Sequence, residues 1–209
     1  MNVLIFGATG GTGKQLVVQA LAQGHTVTAF VRNPAKLAIE APCLTIVRGD
    51  VLNRASVDST VRGQEAVLSA LGAPASQKDT VRSDGTRHIL RAMDGAGVRR
   101  FVCMTTLGMG DSRALLPFSY KFIIVPLILR QAFADSERQE AEIRQSRLDW
   151  TVVRPATLTD GDRTGSYRHG FPATEKGIKI RIARADVADF MLKQLADNTY
   201  LHKTPGLSY

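Results

Sequence analysis

Apolar positions along the chain fall into short runs separated by longer amphipathic stretches. Val3-Leu4-Ile5-Phe6 is unbroken, so residues 2–6 read as a buried strand. Lys14 to Gln23 reads as a helix carrying Leu16, Val17, Ala20 and Leu21, stopped by Gly24. His25 to Val31 alternates like a second strand. Leu44–Val47, Ala66–Leu71, Arg100–Thr105 and Trp150–Val153 supply four more. Thr80 to Met93, ending at Gly95-Ala96-Gly97, and Ala132 to Gln145 read as helices. So does Asp186 to Ala196, with Asp186 in its first turn, where the helix dipole favours negative charge. Strands that alternate with helices pair in parallel through crossovers, which predicts an α/β fold with a doubly wound parallel sheet. The 209 residues contain no repeat, polar tract or linker, and a single domain is expected. Ligands of such sheets sit beyond the carboxyl ends of the strands, so residues that follow strands are the candidate site.

The first strand runs into Gly7-Ala8-Thr9-Gly10-Gly11-Thr12-Gly13 and then a helix. This is the strand–turn–helix context of a Rossmann fold, with the spacing Gly-x-x-Gly-x-x-Gly. Gly7 can take a positive φ, Gly10 lets the backbone approach a pyrophosphate, and Gly13 lets the helix pack closely on the sheet. The helix start offers free N–H groups, and Thr12 a hydroxyl. Gly7, Thr9, Gly10, Gly11, Thr12 and Gly13 are therefore the expected phosphate contacts. A phosphate-loop NTPase is excluded, because Gln15 follows Gly13-Lys14 and Ala8 stands where the first glycine belongs.

NAD-binding chains carry a carboxylate about 20 residues further on, for the ribose hydroxyls. Here Phe30-Val31-Arg32-Asn33-Pro34-Ala35-Lys36 has none. Arg32 is placed to stack on adenine and pair with a 2′-phosphate, and Lys36 adds charge, so NADP(H) is the expected cofactor. Asp50, with Val51, follows the third strand. It suits either an adenine contact or the cap of a helix beginning near Asn53.

The net charge of +8 suits an anionic partner. Lys and Arg are spread along the whole chain, aromatic residues are few and no nucleic-acid module appears, so nucleic acid is not the expected partner. Two distant cysteines and four scattered histidines argue against a disulfide framework or a metal site. With no export leader before the first strand, a cytoplasmic location is expected.

Together Ile5–Gly13, Val31-Arg32, Gly49-Asp50-Val51, Asp84-Gly85-Thr86-Arg87-His88-Ile89-Leu90 and Leu148–Pro155 resemble the atypical short-chain dehydrogenases with an NAD(P)H-binding, NmrA-like fold. Gly49-Asp50-Val51-Leu52 through Val67–Gly72 is most similar to the biliverdin-IXβ reductase/flavin reductase group. The resemblance implies a nicotinamide site lined by Leu71, Gly72 and Ala73, by Thr105 and Thr106, and by Pro155, Ala156, Thr157 and Leu158. In that group a Thr-Ser pair stands where Thr105 and Thr106 stand, and a histidine where Thr157 stands. The threonine pair offers two hydroxyls for catalysis or carboxamide binding, or simply ends a β-branched strand.

Ordinary short-chain dehydrogenases use Tyr-x-x-x-Lys, and none of the four tyrosines here has a lysine four residues on. The expected activity is therefore hydride transfer to a flavin, bilin, quinone or similar conjugated acceptor that takes its proton from solvent. The alternative is a non-catalytic NADP(H)-sensing regulator of NmrA-like type. Leu115 to Arg130 is unusually apolar, yet too short and too interrupted by Pro117, Lys121 and Pro126 to span a bilayer. It reads as a wall over the substrate or an interface for a protein partner at 115–130. A substrate-covering region is expected around 107–135 and 157–180.

Overall fold

The computed structural model describes residues 1–73 and 80–209. At its centre β1 (Asn2–Phe6) pairs in parallel with β2 (Thr26–Val31) on one side and β4 (Ala66–Ser69) on the other. Outward from β2 lies β3 (Leu44–Arg48). Outward from β4 lie β5 (Arg100–Met104), β6 (Asp149–Pro155), β10 (Gly206–Ser208) and β8 (Arg168–His169). Strand order therefore reverses at the β1–β4 junction. All pairings are parallel except that of β8 with β10. A separate ribbon joins β7 (Thr157–Thr159) to β9 (Arg181–Ala183).

Both faces of the sheet are covered, which is why β1 needs no polar alternation. Val3 and Ile5 pack with α1 (Gly11–Ala22) and α5 (Arg184–Lys193). Leu4 and Phe6 face α2 (Arg54–Val61), α3 (Val81–Ala96) and α4 (Arg130–Gln145). Gly7 adopts φ +77°, and a Cβ there would overlap the Ala70 carbonyl oxygen. At Gly13 a Cβ would overlap the carbonyl oxygen of Gly7, so its bareness lets α1 sit directly on the turn.

Several elements depart from the sequence expectation. α1 begins at Gly11 rather than Lys14, so the later glycines of the turn belong to the helix's first turn. α5 starts at Arg184, because β9 leads directly into it. The sheet is mixed at one edge rather than wholly parallel. Strands β7 to β10 were not read from the sequence, since two or three residues are too few to show a period. The apolar segment is a short 3₁₀ turn, Gly110–Leu115, followed by a wide π-type helix, Tyr120–Leu129, which runs into α4. Pro126 lies inside that helix and has no N–H for a regular helical ladder.

Candidate functional site

The carboxyl ends of β1, β2 and β4 open into a cleft of about 680 Å³. It gathers Gly7, Thr9, Gly10, Gly11 and Thr12 from the glycine turn, Arg32 and Lys36 from beyond β2, and Val51 from beyond β3. Leu71, Gly72 and Ala73 enter from beyond β4, and Leu158 from β7. Arg32 and Lys36 are both exposed at one end of the cleft. No carboxylate lines the cleft among the described residues.

Phe30, Val31, Gly49, Ala70, Val81, Met104 and Arg184 also line the cleft and were not among the expected site residues. Phe30, next to last in β2, packs on Phe6, with ring centroids 5.0 Å apart. Met104 ends β5. Arg184 opens α5, and its Cδ lies 2.5 Å from where a Cβ on Gly11 would stand. Its guanidinium thus sits over the amino end of α1, where it donates to Asp160 Oδ1 at 2.6 Å. Nothing in the sequence distinguishes it from Lys179 and Arg181 just before it.

The remaining expected residues lie elsewhere. Gly13 is buried in the packing of α1 rather than in the cleft. Asp50 is exposed and does not line the cleft: its Oδ1 accepts from Leu52 N at 2.9 Å, while Asn53 caps α2 by accepting from Ser56 N. Thr105, Thr106, Pro155, Ala156 and Thr157 line a second, mostly apolar chamber of about 270 Å³. Among the described residues Leu158 is the one common to both linings. The chamber is completed by residues including Leu116, Tyr120, Ile124 and Leu129 of the apolar segment, Phe133 of α4, and Ile180.

Behind the chamber a charged network holds Thr105. Its hydroxyl donates to Glu140 Oε1 at 2.9 Å. The fully buried Arg154 donates to both Glu140 oxygens, at 2.9 and 2.6 Å, and to Asp111 Oδ1 at 2.6 Å. Burial alone would raise the Glu140 pKa, but the hydrogen bonds and charge of Arg154 outweigh it and hold the carboxyl below its ordinary value. With its O–H hydrogen bonded to Glu140, Thr105 presents only acceptor lone pairs to the chamber. Thr106 donates more loosely, to the Leu107 carbonyl at 3.3 Å.

A tyrosine–lysine pair does exist in space, although not in sequence spacing. Lys193 Nζ donates to Tyr167 Oη at 3.0 Å, and Tyr167 donates to Asp189 Oδ2 at 2.6 Å. Neither residue lines the cleft or the chamber. Burial and Asp189 push the Tyr167 pKa up, the opposite of what proton transfer by tyrosinate requires. Burial likewise raises the Cys103 thiol, which lies in the core. Among the described residues no cluster of His, Cys, Asp and Glu could hold a metal ion.

The cleft fits a dinucleotide on its own terms. The Thr12 hydroxyl is buried at the helix start without a hydrogen-bond partner among the described residues, and Gly10 is exposed beside it. Its place at the strand-order reversal defines a dinucleotide-binding domain of the doubly wound class. Residues 7–198 match a family described as NAD(P)H-binding, and the chain belongs to that family. The cofactor is of the NAD(P)H class, and Arg32 and Lys36 suit its 2′-phosphorylated form.

One relative is the photosystem II assembly factor Ycf39 of Synechocystis, 35% identical over 166 residues, which cover 77% of this chain and 46% of the relative. The chain thus spans about half the length of that relative. Two solved structures share the fold. One is ChuY, an anaerobillin reductase of Escherichia coli O157:H7, with TM-score 0.80, 24% identity, and coverage of 99% of this chain and 96% of its own. The other is a wide-type short-chain dehydrogenase/reductase of Veillonella parvula in complex with NADP, with TM-score 0.81, 18% identity, and coverage of 100% and 94%.

Proposed function

We propose that the protein is an NADPH-dependent reductase of a flat, conjugated acceptor such as a flavin, bilin or quinone. The observation that carries this reading is Leu158, which forms part of the wall of both the dinucleotide cleft and the apolar chamber. When bound, the nicotinamide supplies a hydride. The chain's own residues bind, orient and exclude water. Arg32 and Lys36 neutralise the 2′-phosphate, and the amino end of α1, with Thr12 and Arg184, receives the pyrophosphate. Residues from 107–135 and 157–180 cover the acceptor. Leu107, Ile124, Phe133 and Ile180 give its ring a dry wall. Thr105, fixed by Glu140, accepts a hydrogen bond from the carboxamide or the acceptor, and Thr106 is free to reorient its hydroxyl toward an acceptor oxygen. Among the described residues no side chain of the chamber is a carboxylic acid, which supports a proton from solvent. Holding an acceptor ring against the cofactor would by proximity supply much of the rate.

At about 270 Å³ the chamber lies at the small end of ligand sites. It suits an isoalloxazine or quinone ring better than an extended tetrapyrrole. The test follows NADPH absorbance over a panel of FMN, FAD, biliverdin and quinones. Oxidation with at least one is expected. A second reading, an NADP(H)-sensing regulator that binds a partner, is favoured by the exposed apolar residues of 118–128 and by the lack of a tyrosine–lysine pair among the described residues of the cleft. Tight NADPH binding with no oxidation across the panel would replace the first reading with the second.

A further inference from the structure

The π-type helix is apolar on two sides, and the chamber accounts for only one. Tyr120, Ile124 and Leu129 turn inward to line it. On the outer side Phe118 is 75% exposed, Leu127 77% and Ile128 63%, with Phe122 and Ile123 also open to solvent. Phe118 and Phe122 pack on each other with centroids 4.7 Å apart. Single exposed apolar residues need no explanation, but five within eleven residues of one segment do.

Charge says what covers the patch. Between Ser112 and Ala134 the chain has three cations, Arg113, Lys121 and Arg130, and no carboxylate. All three line one pocket of about 310 Å³ beside the patch, where Glu137 is the single acid. Among the described residues none of the three forms an ion pair, although thirteen ion pairs occur elsewhere. Lys121 lies over the Phe122 ring, 5.5 Å from its centroid, and so joins the cation cluster to the patch.

We infer that this face docks on an anionic lipid bilayer, with Phe118, Phe122, Leu127 and Ile128 in the interface and Arg113, Lys121 and Arg130 against the lipid phosphates. Unpaired cations beside aromatic and branched apolar side chains are the arrangement that lies in a membrane surface without crossing it. No helix among the described residues is long and apolar enough to span. The inference is independent of whether the chamber is catalytic.

The experiment sediments the full chain with phosphatidylcholine vesicles, with and without phosphatidylglycerol. Binding is expected only with phosphatidylglycerol, and weaker at high salt. Each cation near such a surface is worth about fivefold, so R113Q/R130Q lowers the partition coefficient about 30-fold. L127E/I128E abolishes sedimentation, while its NADPH affinity stays at the wild-type value. That control separates loss of the surface from loss of the fold. Three results would overturn the inference. One is equal binding to both vesicle types, or to neither. Another is wild-type sedimentation of L127E/I128E. The third is a lipid-free oligomer that L127E/I128E disperses, which would assign the patch to a second copy of the chain.

Discussion

Removing the Glu140 carboxylate tests whether the network behind the chamber is held by charge or merely by packing. Glu140→Ala leaves the Arg154 guanidinium buried, with two of its three charged hydrogen bonds gone. Breaking a buried pair in this way costs about 3–5 kcal/mol. Asp111 still pairs with Arg154 but is itself largely exposed, so it offsets part of the loss and the lower end, about 3 kcal/mol, applies. For a chain of this size that lowers Tm by about 6–12 °C. Thermal melts followed by circular dichroism at neutral pH provide the assay.

The double variant E140A/R154M removes the stranded charge and should recover much of the loss, because an apolar replacement needs no partner. The pH dependence has a definite sign. The native Glu140 pKa lies below its unfolded value, so its stabilisation is fully present above the usual glutamate value of about 4.3 and fades as pH falls through the lower native value. Wild type and E140A should therefore converge in acid. A Tm for E140A within about 2 °C of wild type, or a double variant no more stable than E140A, would refute the buried-charge argument.

Arg32→Ala should weaken NADPH binding about 10- to 150-fold, from the loss of a charged hydrogen bond of roughly 1.5–3 kcal/mol, and leave NADH binding nearly unchanged. Equal losses in fluorescence titrations with the two cofactors would remove Arg32 from the 2′-phosphate. Arg184→Ala should weaken both cofactors by a similar factor, since the pyrophosphate is common to them. Selective loss of NADPH alone would place Arg184 at the wrong end of the cleft. Thr106→Ala should lower turnover with the best acceptor about 10-fold or more, with little change in cofactor affinity. Unchanged turnover would take Thr106 out of the reaction.

The central elements were legible because their physics is local. β1 is buried on both faces, so its apolar run is unbroken, and the glycine turn carries spacing that only close backbone contacts require. Arg32, Lys36, Val51 and Leu71 to Ala73 were legible for a topological reason: they follow strands of a sheet whose ligands sit at that edge. What stayed hidden depends on distant closure. Arg184 reaches the glycine turn only because β9, three residues long, pairs with β7. Glu140 is one of several charged residues along α4, and its burial against Arg154 of β6 leaves no period in the sequence. The split of Thr105, Pro155, Ala156 and Thr157 into a chamber apart from the cleft rests on where the π-type helix packs. Short apolar runs interrupted by proline do not specify that placement.

The buried hydroxyl of Thr12, which no described protein group meets, bears on what the glycine turn selects. A ligand that entered the cleft and left this hydroxyl dry and unpaired would forfeit about 1–3 kcal/mol. A phosphate oxygen that meets Thr12 avoids that loss. Thr12→Val should therefore bind a dinucleotide more weakly, a preference set by one oxygen atom.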